Sequence, residues 1–216
     1  RSAISALSVT VDALITHIWR HYLPACSTIS LIAVGGYGRG ELMPYSDIDL
    51  LVLHEEAIHE KEMVAQQQEG ITDFITFLWD LGLDIGHSVR TVAQSVALAA
   101  DDVTVVTALS ETRLLSGNAA LYAQLQQAIA PDQLWDAKQF FQAKQVEQQQ
   151  RHLRFHDTGY RLEPNVKESP GGLRDIQTIA WVAKRHFGAQ TLQELVTHGF
   201  LSEQEYQELH EGQLYL

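Results

Sequence analysis

The sequence predicts an α+β protein whose strands are confined to the first ninety residues and whose remainder is helical. Three observations carry this. A short apolar run, Leu31 to Val34, stops at Gly35-Gly36, as a buried strand ending in a turn does. A second run, Asp47 to Leu53, is apolar on both faces after its start, which marks a central strand. From Thr91 onward the apolar period is helical.

The remaining elements follow in order. Residues 3–22 carry Ile4, Leu7, Val11, Leu14, Ile15, Ile18 and Trp19 at helical spacing, and Pro24 ends that helix. Glu55 to Leu81 reads as a helix, polar at first and apolar later at Phe74, Ile75, Leu78 and Trp79. Leu83 to Arg90 reads as a third strand, with Asp84, Gly86, Ser88 and Arg90 on one face and Ile85, His87 and Val89 on the other. That apolar face makes His87 a hydrogen-bonded core histidine. Turns fall at Ser116-Gly117-Asn118, Ala130-Pro131-Asp132 and Gly188, and the expected domains are 1–112 and 113–216. Residues 133–156 form a long polar helix, on which Glu147 and Arg151 make an i,i+4 pair suited to a solvated or partner-facing surface.

Composition narrows the function. Net charge is −12, which argues against a broad nucleic-acid surface. Mean hydropathy of −0.11 and the lack of any membrane-length apolar run exclude a membrane-spanning helix. The single cysteine, Cys26, excludes an internal disulfide framework and fits a reducing cytoplasm. The chain begins at Arg1 without a secretory leader and stops inside a helical pattern at Leu216, so we expect an excised fragment.

The chemistry sits between the first two strands. Gly35, Gly36, Gly38 and Gly40 let the backbone turn tightly and present its N–H groups to an anion. Period two puts Asp47 and Asp49 on one face, roughly 7 Å apart along the strand, a spacing suited to a divalent metal. A glycine cradle beside a carboxylate pair suggests a nucleoside triphosphate with magnesium. No Gly-Lys-[Ser/Thr] follows the glycines, and Pro44 blocks the long helix of a dinucleotide fold. Two further stretches carry weaker signals. His152, His156 and Asp157 contain a His-Asp dipeptide at a helix end, but no full metal-hydrolase ligand set can be assembled around them. The loop 162–175, with Lys167, Ser169 and Arg174 before a helix, is either a plain connection or an anion site.

A hydrophobic strand, Gly-Gly, and then Asp-x-Asp on the next strand resembles the nucleotidyltransferase superfamily of DNA polymerase beta. The motifs Gly-Gly-Tyr-Gly-Arg-Gly-Glu-Leu, Ser-Asp-Ile-Asp-Leu-Leu, Gly-His-Ser-Val-Arg-Thr and Ser-Pro-Gly-Gly-Leu-Arg-Asp-Ile narrow the resemblance. In that order they are similar to the bacterial family of bifunctional uridylyltransferase/uridylyl-removing enzymes that act on the P-II nitrogen-signalling protein. The resemblance implies a small mixed sheet with flanking helices, followed by a helical domain. It implies transfer of UMP from UTP, with Mg2+ or Mn2+, to a tyrosine hydroxyl of P-II, releasing pyrophosphate in the cytoplasm. It makes Asp84 the third metal-binding and catalytic carboxylate beside Asp47 and Asp49, in preference to Asp80. Gly35, Gly36 and Ser46 would cradle the nucleotide, with Arg39 as a cationic helper. The family's further parts are a His-Asp domain that removes UMP and ACT domains that sense glutamine, and neither is expected within these 216 residues. Two alternatives stay open: a sister adenylyltransferase of the glutamine-synthetase type, and a non-catalytic nucleotide-sensing or P-II-docking module.

Overall fold

The computed structural model describes residues 2–24, 27–43, 46–55, 61–155, 165–188 and 192–215. It divides into two compact units, 1–130 and 131–216. In the first, helix α1 (Ser2–Tyr22) leads into strand β1 (Ile29–Ala33), a one-turn helix α2 (Gly35–Gly38) and strand β2 (Ile48–His54). Helix α3 (Lys61–Asp80) crosses to β3 (Ile85–Arg90), followed by α4 (Val92–Asp101), α5 (Val103–Leu109), β4 (Arg113–Gly117) and α6 (Ala119–Ala128). The strand order is β3-β2-β1-β4. β1 runs antiparallel to both β2 and β4, while β2 and β3 are parallel, so the sheet is mixed. A parallel pair needs a crossover, and α3 supplies it.

One face of the sheet carries the main core. Leu31 and Ala33 of β1 and Ile48, Leu50 and Val52 of β2 meet Ile15, Ile18 and Trp19 of α1 and Phe74, Ile75 and Leu78 of α3. Trp19 and Phe74 pack edge to face with centroids 5.1 Å apart. Ile32, Leu51 and Leu53 are buried on the opposite face, where α6 packs. β2 is therefore central and buried on both sides, as its unbroken apolar run requires. Helix α4 starts on a capping box: the Thr91 hydroxyl accepts from the Gln94 N–H while the Gln94 side chain accepts from the Thr91 N–H.

Three expectations need correction. Periodicity assigns residues 113–117 to a helical stretch, yet as β4 they hydrogen-bond to β1, and so packing closes the first unit at 130 where periodicity divides the chain after 112. His87 is exposed, because β3 is an edge strand, and its ring meets the rim residue Trp79 edge to face at 5.4 Å. Glu147 pairs with Lys144, one turn back, and leaves Arg151 to a different partner.

That partner lies in the second unit, built from α7 (Ala137–Arg154), α8 (Leu173–Phe187), α9 (Leu192–Thr197) and α10 (Glu203–Tyr215). Between α7 and α8 lies a polar network rather than an apolar seam. The Asp175 carboxylate accepts from Arg151 Nη2 at 2.7 Å, Gln148 Nε2 at 2.8 Å, the Gly171 N–H at 2.7 Å and His152 at 3.1 Å. Lys144, buried, stands over the Trp181 ring at 4.4 Å, with Arg174 near the same ring at 5.4 Å. Partial burial pushes the Asp175 carboxyl up, but the hydrogen bonds from Gln148, Arg151, Gly171 and His152 outweigh it and hold it below its ordinary value. A carboxyl lowered on folding stabilises fully above its ordinary pKa of 3.8, and that contribution is lost as pH falls through the folded value. Asp175→Asn is therefore expected to cost about 1–3 kcal/mol at neutral pH and to flatten the acid limb below about pH 4. Melting temperatures of both proteins across an acid pH series check this.

Candidate active site

The glycine turn begins where β1 ends. Val34 is still extended, with φ −126° and ψ 156°, and its N–H donates to the Asp49 carbonyl at 3.0 Å. Gly35 then takes φ +59°, a left-handed conformation open to glycine at little cost, and α2 starts there. The first N–H groups of a helix have no acceptor within it, so the amides of Gly35, Gly36 and Tyr37 open the turn as donors.

The carboxylates stand beside this turn. Asp49 lies in register with Gly86 across the parallel pair. A methyl group on Gly86 would collide with Asp49 Oδ1, and one on Gly35 would sit 3.8 Å from Asp49 Oδ2. The Asp49 carboxylate thus leans over β3 on one side and borders the glycine turn on the other. The Ile48 N–H donates to the Asp84 carbonyl at 2.8 Å. One residue before the Ile48–Ile85 pair, the register sets Asp47 opposite Asp84, and period two gives both the face of Asp49. All three side chains are exposed. Among the described residues no three His, Cys, Asp or Glu side chains are gathered into metal-ligating geometry. The backbone brings the three carboxylates to one end of one face. All the donors are hard oxygens, which suits Mg2+ or Mn2+.

The other expected residues are placed as follows. Ser46 is exposed immediately before Asp47, its N–H donating to the Met43 carbonyl at 3.1 Å. Arg39 lies against Gly36, but its guanidinium pairs with Glu41 at 2.8 Å and with Glu111. Burial works against its charge, and the two carboxylates outweigh burial, so Arg39 is held cationic and compensated within the protein. Arg90 stands opposite Leu53 at the far end of β3, away from the carboxylates. In the 165–175 loop the Asp175 carboxylate already takes the Gly171 N–H, and Arg174 binds Glu168 at 3.2 Å. His152 is bound to Asp175, and His156, Asp157 and residues 162–164 lie outside the described residues.

Sequence reasoning missed the residues that hold the turn in place. Tyr37, almost wholly buried, donates its hydroxyl to Asp12 Oδ1 at 2.7 Å. Arg113 of β4 grips the same carboxylate at 2.5 and 3.1 Å and donates to the Tyr37 carbonyl at 3.2 Å. Burial, reinforced by Asp12, pushes the Tyr37 phenol well above its ordinary value, so it stays protonated and donating. Ser8 donates to the Gly40 carbonyl at 2.9 Å and accepts from the Leu42 N–H at 3.2 Å. A signal was present: Ser8 and Asp12 continue the i, i+4, i+7 line of Ile15 and Trp19, polar residues on a buried stripe.

Residues 17–92 match the model of the nucleotidyltransferase domain family. Residues 139–216 match the model described as GlnD PII-uridylyltransferase. Relatives named bifunctional uridylyltransferase/uridylyl-removing enzyme align over nearly the whole chain. The protein of Hydrogenovibrio crunogenus is 51% identical over 95% of this chain, and that of Nitrosococcus oceani is 51% identical over 95%. The Pseudoalteromonas translucida protein is 50% identical over 96%. The chain is thus a homologue of part of these uridylyltransferase/uridylyl-removing enzymes, and it spans 23% of the length of each of these three relatives. A solved toxin–antitoxin structure with AMP-PNP aligns at TM-score 0.32 and 15% identity, over 68% of this chain and 96% of its own, too loosely to bear on the site.

The contact between Asp49 and β3 gives a sharp expectation. In Gly86→Ala the new methyl meets the Asp49 carboxylate, an exposed side-chain end that must shift to admit it, so we expect the change to act on the carboxylate's position more than on folding. Nucleotidyl transfer should fall on the order of a hundredfold from that displacement. Paired assays of melting temperature and kcat check it; a loss of stability matching the loss of activity would contradict it.

Proposed function

We propose that the protein transfers UMP from UTP to a tyrosine hydroxyl of the P-II nitrogen-signalling protein and releases pyrophosphate. The observation that carries this reading is the Asp49 carboxylate, set between the Gly35 turn and Gly86, with Asp47 and Asp84 on its face at the starts of two adjacent parallel strands. The similarity to named uridylyltransferase relatives supports the choice of nucleotide and acceptor.

In this reading Asp47 and Asp49 hold one Mg2+ or Mn2+ and, with Asp84, a second. A divalent metal held there would neutralise phosphate charge and acidify the attacking hydroxyl. The Gly35 and Gly36 amides orient the triphosphate, with the Ser46 hydroxyl beside them. Arg39, paired to Glu41 and Glu111, acts mainly by bracing the turn. The phenolic oxygen attacks the α-phosphorus in line, the bond to the β-bridging oxygen breaks, and pyrophosphate leaves. The phenolic proton is taken up at the exposed carboxylates. Among the described residues no helix is long and apolar enough to cross a membrane. A single cysteine and a nucleoside triphosphate substrate fit a cytoplasmic setting.

Incubation of the intact protein with P-II and Mg2+ should label P-II from [α-32P]UTP and not from [α-32P]ATP. Labelling from ATP alone would select the adenylyltransferase alternative. Binding gives a second check. At a hundredfold excess over its dissociation constant, magnesium-UTP should add about 2.7 kcal/mol, a rise of roughly 5–10 °C in melting temperature for a chain of this size. Asp47→Asn should melt no lower than wild type, since it relieves repulsion among exposed carboxylates, and should lose most of that rise. An equal rise from UTP in EDTA would place the nucleotide elsewhere.

A further inference from the structure

β3 is an edge strand, and its open edge begins beside the carboxylates. The hydrogen bond from the Ile48 N–H to the Asp84 carbonyl fixes which groups face inward. In a parallel ladder of this register Gly86, Ser88 and Arg90 donate towards β2, and Ile85, His87 and Val89 turn their N–H and C=O groups outward. The Ile85 carbonyl bears this out, since it accepts from the Trp79 indole at 3.3 Å on the outer side. Among the described residues no strand pairs with the outward groups of His87 and Val89. β3 contains no proline and no lysine, and its ladder with β2 has no bulge; its one charge, Arg90, stands at the end away from Asp84, and Trp79 meets the edge only at the Ile85 carbonyl.

The two sides of this edge differ. On one, Trp79 is 50% exposed and Val89 43%, with the His87 ring against the indole. On the other lie Asp84 and Gly86, where the absence of a side chain leaves the Asp49 carboxylate leaning towards the rim. A strand added here would lie about 4.8 Å from β3 and send alternate side chains to each side. Those on the Trp79 side would find apolar contact, and those on the Gly86 side would point at the carboxylates.

We propose that the outer edge of β3 binds an extended segment of the acceptor protein as an added strand, and that this pairing delivers the acceptor tyrosine to Asp49 across Gly86. The proposal rests on the reading of the chain as a protein-modifying transferase. Main-chain pairing supplies affinity, and the alternation of side chains supplies selection.

Val89→Pro tests it. Proline removes an outward N–H and leaves the β2 ladder intact, since the inward donors are Ser88 and Arg90. In the intact protein with P-II as acceptor, KM for P-II should rise at least about tenfold, with KM for UTP within about twofold of wild type. Val89→Lys, which places a charge on the apolar side without altering the backbone, should shift KM for P-II in the same direction. Hydrogen exchange supplies a readout independent of either variant: the amides of His87 and Val89 should slow when P-II is added. Unchanged KM for P-II in folded Val89→Lys, no protection by P-II, or protection already present through pairing of two copies would each overturn the docking edge. If wild type transfers UMP to P-II while these results fail, the transferase reading stands and only the edge is lost. If wild type transfers nothing, the transferase reading fails first.

Discussion

The site depends on the register of one parallel strand pair. Ile48 donates to the Asp84 carbonyl, and from that bond Asp47 comes to stand opposite Asp84 and Asp49 opposite Gly86. A slip of one residue would turn Asp84 and Gly86 to the other face, setting the Ile85 side chain where Asp49 now leans. The register is held because β2 is buried on both faces. Ile48, Leu50 and Val52 fit the core under α1 and α3, and Leu51 and Leu53 fill the opposite side. Apolar packing thus fixes the strand register on which the proposed site carboxylates depend.

The glycine turn is stabilised differently. It is too short and too rich in glycine to hold its own shape, so the rest of the unit holds it. Asp12 and Ser8 reach it from α1, Arg113 from β4, and Glu111 through Arg39. The Tyr37 hydroxyl and the Arg113 guanidinium share the Asp12 carboxylate, so a half-buried charge is satisfied from both sides. This bracing requires β4 to belong to the first unit, although it follows two helices in the chain. It also explains why Arg39, beside the turn in sequence and in space, is compensated within the protein: its two carboxylate partners anchor the end of α2.

In the helical unit the same logic holds with the signs reversed. Lys144 and Arg151 are buried on α7, each with a compensating carboxylate, and Trp181 offers its ring to Lys144 and Arg174. Removing one partner would leave a buried charge unpaired, whereas an apolar seam would tolerate more variation. The polar network instead sets the pairing of α7 with α8 through specific geometry.

The sequence by itself determined the elements that local patterns encode. Leu31 to Val34, Asp47 to Leu53 and Leu83 to Arg90 became strands at nearly those bounds. The four motifs were legible too, since glycines, paired carboxylates and their spacing are written in order along the chain. Only the tertiary structure decided what depends on residues distant in sequence. β4 has five residues and no clear alternation, so nothing local distinguished it from a helix; its pairing with β1 did. His87 looked like a core residue by alternation, but the edge position of β3 exposed it. Arg39, Arg151 and Asp175 carried charges whose partners could not be assigned by spacing, because an ion pair is set by distance in space. Periodicity fixes which way a side chain points, and packing alone fixes what it meets.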